Sequence, residues 1–137
     1  MTFENRITRL PIPLDPVRGR AALEAMPALD GKVARLIEGA AGSSPYLATL
    51  IEREADWLAA EIAEGQLSDP VTRETRGFEN MPPDVLAVSL RRAKRRIALL
   101  TGLADLGGVW CLEDVTRILS DFADRATDLA LLVHVAQ

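Results

Sequence analysis

At 137 residues with a formal net charge of -4 and a pI near 5.0, the chain has room for one core and as a whole repels polyphosphates. Apolar residues make up 48% but aromatic ones only 4%, so the core must be built from Leu, Ala, Val and Ile, the palette of packed helices rather than of a β-sandwich. The one cysteine, Cys111, excludes an internal disulfide and a multi-cysteine zinc site, and it suits a reducing compartment.

The first segment, residues 1–17, carries Pro11, Pro13 and Pro16. Each proline fixes its own φ and pushes its predecessor out of helical space, so an extended arm is expected ahead of one helical domain at 18–137. Ala21, Ala22, Leu23, Ala25 and Met26 favour a short helix that Pro27 ends or kinks. Val33, Leu36 and Ile37 step by three and four through a second helix over 30–41. Ser44 before Pro45 is a helix start, because the serine hydroxyl caps an orphan N–H while proline at the first position has none to satisfy. That helix is expected to run through Leu50, Trp57 and Leu58 to Ile62 and to stop at Gly65.

Ser68, Asp69 and Pro70 can open one further short turn. Gly77, Asn80, Pro82 and Pro83 then make a breaker-rich connection, read as a mobile loop at about 73–83. The last two helices have the clearest rhythm. Leu86, Leu90, Ala93, Ile97, Leu100 and Ala104 mark one seam; Val115, Ile118, Phe122, Ala126, Leu129 and Val133 mark the other. With only the Gly107-Gly108 turn near their junction, they predict a long antiparallel pair closing an irregular all-α bundle of about five helices. The arginine-rich first helix and the acidic second one, with Glu113, Asp114, Asp121, Asp124 and Asp128, suggest charge pairing between them, each exposed pair being worth only about 0–1 kcal/mol.

No catalytic or metal site stands out. The basic run Arg91, Arg92, Lys94, Arg95 and Arg96 lacks interleaved aromatics for base stacking, and no nucleic-acid partner is expected. Asp121, Asp124 and Asp128 share a helix face but offer only part of a cation cage, and Arg117 and Arg125 are the expected partners of Asp121. His134 has no second histidine or cysteine nearby. Cys111 precedes the last helix, where a helix N-terminus favours thiol reactivity, yet no catalytic partner lies near it in sequence. Trp57 and Trp110 read as packing anchors. Neither a phosphate-binding Lys-Ser/Thr loop nor Gly-x-Gly-x-x-Gly is present. A secretion signal and a membrane-spanning run are likewise missing, so a cytoplasmic location with no membrane partner is expected.

Two stretches carry a resemblance. Ser44-Pro45-Tyr46-Leu47 with Trp57-Leu58 is followed by Leu90-Arg91-Arg92-Ala93-Lys94-Arg95-Arg96-Ile97-Ala98-Leu99-Leu100, then Ala104-Asp105-Leu106-Gly107-Gly108 and Leu112-Glu113-Asp114-Val115-Thr116. Over most of residues 43–131 this resembles the N-terminal region of bacterial glutamine synthetase adenylyltransferase, also called the adenylyl-removing enzyme. The family, as the resemblance implies, attaches AMP to a tyrosine of glutamine synthetase and removes it by phosphorolysis, under control of a PII signalling protein and glutamine. Its full-length members are expected to use Mg²⁺ and ATP.

Each family active site needs an Asp-x-Asp pair to hold Mg²⁺ against nucleotide phosphates, and this chain has none. No catalytic, cofactor or metal residue can be carried over. The chain is therefore expected to be a truncated piece, inactive alone, that supports the deadenylylating nucleotidyltransferase domain. Its basic face of Arg91, Arg92, Arg95 and Arg96 is the candidate interdomain contact. The rest of the parent enzyme is the expected partner, with glutamine synthetase and the PII protein reached through it. Apolar surface left bare would favour self-association. The alternative is a free-standing helical protein-interaction module.

Overall fold

The Leu-, Ile- and Ala-rich composition is used in helices throughout. The computed structural model describes residues 3–64 and 69–136, with side chains through Leu132. Within them run α1 (Phe3–Arg6), α2 (Pro16–Glu24), α3 (Gly31–Ser43), α4 (Pro45–Arg53), α5 (Ala55–Glu64), α6 (Pro70–Glu74), a 3₁₀ turn (Phe78–Asn80), α7 (Pro83–Leu106) and α8 (Leu112–Ala136). No strand occurs among the described residues, and the all-α class holds. Beyond the five helices and one short turn marked by the sequence rhythm, the structure adds α1 and divides the 44–62 helix at Glu54. Gly65, Ser68 and the side chains of Val133 and His134 lie outside the described residues.

Local chemistry sets the helix starts. The Asp15 carboxylate accepts from Arg18 N–H at 3.1 Å, with Pro16 at the first position of α2. Ser44 ends α3 and begins α4 in extended geometry, its hydroxyl accepting from Leu47 N–H at 3.2 Å. Asp69 also caps α6, from a left-handed backbone at φ 50, its carboxylate accepting from Thr72 N–H at 3.3 Å. Each cap removes an orphan donor and is worth about 1 kcal/mol.

The proline segment is tied to the bundle. Phe3 and Ile7 are buried; residues 7–15 contain no helix. Thr8 and Arg9 N–H both donate to the Gly107 carbonyl at 2.8 and 3.0 Å, and Asp15 N–H donates to Gly42 O at 2.9 Å. Pro11 and Pro13 lie against Gly39 and Gly42 of α3, so close that a Cβ on either glycine would run into the segment. Glycine is required there for close approach rather than for an unusual φ.

Helix α7 sits at the centre. Its seam Leu86, Ala93, Ile97, Leu100 and Ala104 is buried, and Leu99 and Leu103 are buried as well, because α3, α4 and α6 pack on it in addition to α8. From α8, Ile118, Phe122 and Leu129 are buried. Gly108, at φ +68, makes the turn between the two. In the breaker-rich connection, the structure places a helix end, the 3₁₀ turn and two buried side chains, Phe78 and Thr75, the latter only 1% exposed.

Candidate functional site

The most elaborate polar arrangement grows from one position on an apolar seam. Leu47, Leu50, Ile51 and Leu58 step by three and four along α4 and α5 and are buried; Glu54 occupies the same seam and is only 7% exposed. It is also where the helix changes direction: Glu54 has φ -114 and ψ 24, with its N–H donating to Leu50 O at 2.9 Å and its carbonyl accepting from Leu58 N at 2.8 Å. A carboxylate placed in a core costs several kcal/mol unless it is paired.

The pairing comes from α7. Arg96 Nε donates to Glu54 Oε1 at 2.6 Å, and Arg95 Nε lies 4.0 Å from Glu54 Oε2 without a hydrogen-bond partner of its own. Arg96 also reaches Glu74 of α6, with Nη1 3.6 Å from Oε2. Trp57 Nε1 donates to the other Glu74 oxygen at 3.0 Å, and the Arg96 guanidinium stands 5.3 Å from the Trp57 ring centroid. Beside this, Arg73 Nη1 donates to both Glu61 oxygens at 2.9 and 2.7 Å, joining α5 to α6. The group borders a depression of about 360 Å³ lined in part by Glu52, Glu54, Asp56, Trp57 and Arg96. Each of Glu54, Glu61 and Glu74 is already engaged by a guanidinium or an indole N–H. The arrangement is a clamp joining α4, α5, α6 and α7, rather than a set of groups free to take up a substrate.

The clamp divides the basic run of α7. Arg95 and Arg96 are half-buried in it, whereas Arg91, Arg92 and Lys94 are exposed. The expected charge pairing between the last two helices is not what the structure builds. Among the described residues no ion pair joins α7 to α8. Arg117 turns to Asp114 at 3.2 Å rather than to Asp121. Arg125 donates to Thr75 Oγ1 at 3.2 Å and to Glu79 at 2.8 Å, fastening α8 to the 3₁₀ turn. The elements that approach α7 and α8 from the side bring acceptors closer than the neighbouring long helix does. Glu54 and Glu74 were not singled out by the sequence reading; the available signal was an acid standing where the 3–4 seam of α4 and α5 requires an apolar residue.

The other candidates stay apart. Asp121, Asp124 and Asp128 are exposed on α8, and among the described residues no three His, Cys, Asp or Glu side chains come together as a metal-binding group. The Cys111 thiol donates to Asp114 at 3.2 Å and is exposed. Trp110 is buried, as expected of a packing anchor. No helix among the described residues is long and apolar enough to cross a membrane.

No family model matches the chain, and no solved structure matches it significantly. Curated relatives do. A bifunctional glutamine synthetase adenylyltransferase/adenylyl-removing enzyme of Caulobacter vibrioides is 34% identical over 135 residues, covering 90% of this chain and 14% of the relative. Enzymes of the same name from a Bradyrhizobium species and from Xanthobacter autotrophicus are 32% and 30% identical, covering 93% and 95% of the chain and 13% of each relative. The chain thus spans about one-seventh of the length of the relatives it matches.

Proposed function

The chain corresponds in sequence to one region of the bacterial bifunctional glutamine synthetase adenylyltransferases, and from that premise we propose that it is the N-terminal helical support of such an enzyme. In this reading it steadies the nucleotidyltransferase part that removes AMP from glutamine synthetase and performs no nucleotidyl transfer by itself. The observation that carries the reading is the match to relatives of this one name over 90% or more of the chain. Two features support the assignment of a supporting role. Magnesium-dependent phosphoryl chemistry needs clustered carboxylates, and the carboxylates gathered here are engaged in helix-to-helix pairing. The interior is otherwise a continuous apolar core, as a helical supporting body requires.

Magnesium, nucleotide and the PII protein belong, in this proposal, to the rest of the enzyme. The exposed cations Arg91 and Arg92 are available for an interdomain contact, whereas Arg95 and Arg96 act within the clamp. The test is to incubate the purified chain with adenylylated glutamine synthetase, phosphate and Mg²⁺. No ADP is expected, and ADP release above a no-protein control would overturn the proposal. In a full-length enzyme carrying this region, charge reversal at Arg91 and Arg92 should reduce deadenylylation while leaving the fold intact. Unchanged deadenylylation would remove these residues from the interdomain contact.

A further inference from the structure

Helix α8 carries a second apolar stripe besides the buried seam of Ile118, Phe122 and Leu129. Leu112, Val115, Leu119, Ala123 and Ala126 follow one another at three- and four-residue steps, which places them along one side of the helix. Val115 and Leu119 line an open, predominantly apolar groove of about 480 Å³, opposite Ala98 and Gly102 of α7 and Leu47 of α4. Its rim leaves large apolar side chains in solvent, Tyr46 at 62% and Leu119 at 45% exposure; Leu112, at the start of the same α8 stripe, is 74% exposed. A contiguous apolar groove of this kind marks an interaction surface.

The α7 wall indicates the chemistry of the occupant. Ala98, Gly102 and Asp105 border the groove, and Lys94 and Arg91 continue the same three- and four-residue stripe one and two turns earlier. Both cations are exposed, and neither takes part in an ion pair or side-chain hydrogen bond among the described residues. From Leu112 to Ala126 the stripe runs roughly 20 Å, about four turns of helix. The groove thus has an apolar floor whose α7 wall carries the acidic Asp105 at one end and, one and two turns beyond Ala98 at the other, the two free cations, a net positive side suited to a helix-in-groove receptor.

We propose that the groove between α4, α7 and α8 seats an amphipathic helix from the larger polypeptide, with its apolar edge on Val115 and Leu119 and a carboxylate-bearing edge toward Arg91 and Lys94. The source rests on the functional reading above: most of each relative lies outside the matched region and so can supply such a helix. The receptor itself is read from the groove and its charges alone. Its test involves no nucleotidyl chemistry, so failure here and failure of the functional reading are distinguishable.

The probes are two synthetic helical peptides of about 15 residues with the same leucine face, one edged with glutamate and the other with lysine. They are titrated into the intact chain while its amide NMR spectrum is followed. The glutamate-edged peptide should bind about tenfold more tightly than the lysine-edged one, shifting the amides of Leu47, Ala98, Gly102 and Leu119. The double variant Arg91→Glu, Lys94→Glu should invert the preference, and Leu119→Glu should abolish binding of both peptides; all three positions are exposed, and retained helical signal confirms the fold. Equal affinity for the two peptides, shifts elsewhere, or no saturable shift would overturn the proposal. Concentration-dependent sedimentation that Leu119→Glu abolishes would also overturn it, by assigning the groove to a second copy of the chain.

Discussion

Arg92 and Arg96 stand about one helical turn apart on α7 and belong to the same unbroken basic run, yet their surroundings differ. Arg96 is held by Glu54, Glu74 and the face of Trp57, in a place where water is partly excluded and Coulomb attraction is weakly screened. Arg92, like Arg91 and Lys94, faces solvent, where a charge contributes little to stability and remains available to a partner. Each residue of a helix turns about a quarter of the way round the axis, so five cations in six positions cannot share one environment. The run contains two functional halves, one structural and one free.

The strongest way to break this comparison is to remove the carboxylate on which the structural half converges. Glu54→Ala takes the countercharge from Arg95, leaves Arg96 only Glu74, and opens a gap in the α4–α5 seam. Breaking a fully buried pair costs about 3–5 kcal/mol, and because Arg96 keeps 26% side-chain exposure the expected loss falls below that range, at about 2–3 kcal/mol. Urea denaturation followed by circular dichroism measures it. A loss below about 0.5 kcal/mol, the range of ordinary surface substitutions, would mean that the clamp contributes no more than the exposed cations do.

Arg96→Lys sharpens the same point at smaller cost. Lysine keeps the charge but loses the planar fork that reaches Glu54 and Glu74 together, and it stacks less well on Trp57. A destabilisation of about 1 kcal/mol is expected in the same assay.

The division also explains what the sequence made legible. The seams of α7 and α8, the caps at Ser44 and Asp69, and the packing role of Trp110 depend on spacing or on local backbone chemistry, and these are visible in one dimension. The clamp depends on α5 and α6 folding back until Glu54 and Glu74 meet α7. Arg96 and Glu54 are 42 residues apart, so no window of local pattern contains both. The expectation of α7–α8 charge pairing failed for the same reason: composition gave two oppositely charged helices, but tertiary packing brought Glu54, Glu74 and Glu79 closer to the arginines. The α4–α8 groove was hidden because the second stripe of α8 shares its residues with the periodicity assigned to the core. Val115 and Ala126 were counted in the buried seam, and only their half-exposed state separates the two.

An exposed pair provides a milder contrast with the clamp. Glu79 is held below the ordinary glutamate range, first by a hydrogen bond from its own backbone N–H and then by the Arg125 side chain. A carboxyl lowered in the folded state contributes stability that is fully present above the unfolded value, about 4.3 for glutamate, and that is lost as pH falls through the lower folded value. Arg125→Gln should therefore raise the Glu79 midpoint only part of the way, because the larger cause remains, and an NMR titration of the Glu79 carboxyl reads it. The stability difference between wild type and variant that arises from this pair should shrink below about pH 4. A midpoint that does not move would show that the backbone alone sets it.

The smallest effect is expected where the charge is densest. Replacing Arg91, Arg92 and Lys94 together by glutamine removes three positive charges from a chain already at -4. It also relieves like-charge crowding along one face of α7, and the two effects oppose each other. The urea midpoint should stay within about 0.5 kcal/mol of wild type, with an unchanged slope. A loss above about 1 kcal/mol would place these side chains in the clamp and erase the division between the halves. A neutral outcome, combined with loss of the preference for a glutamate-edged helix in the groove, would fix what the free half is for: cations that stabilise nothing in the isolated chain but select what docks beside it.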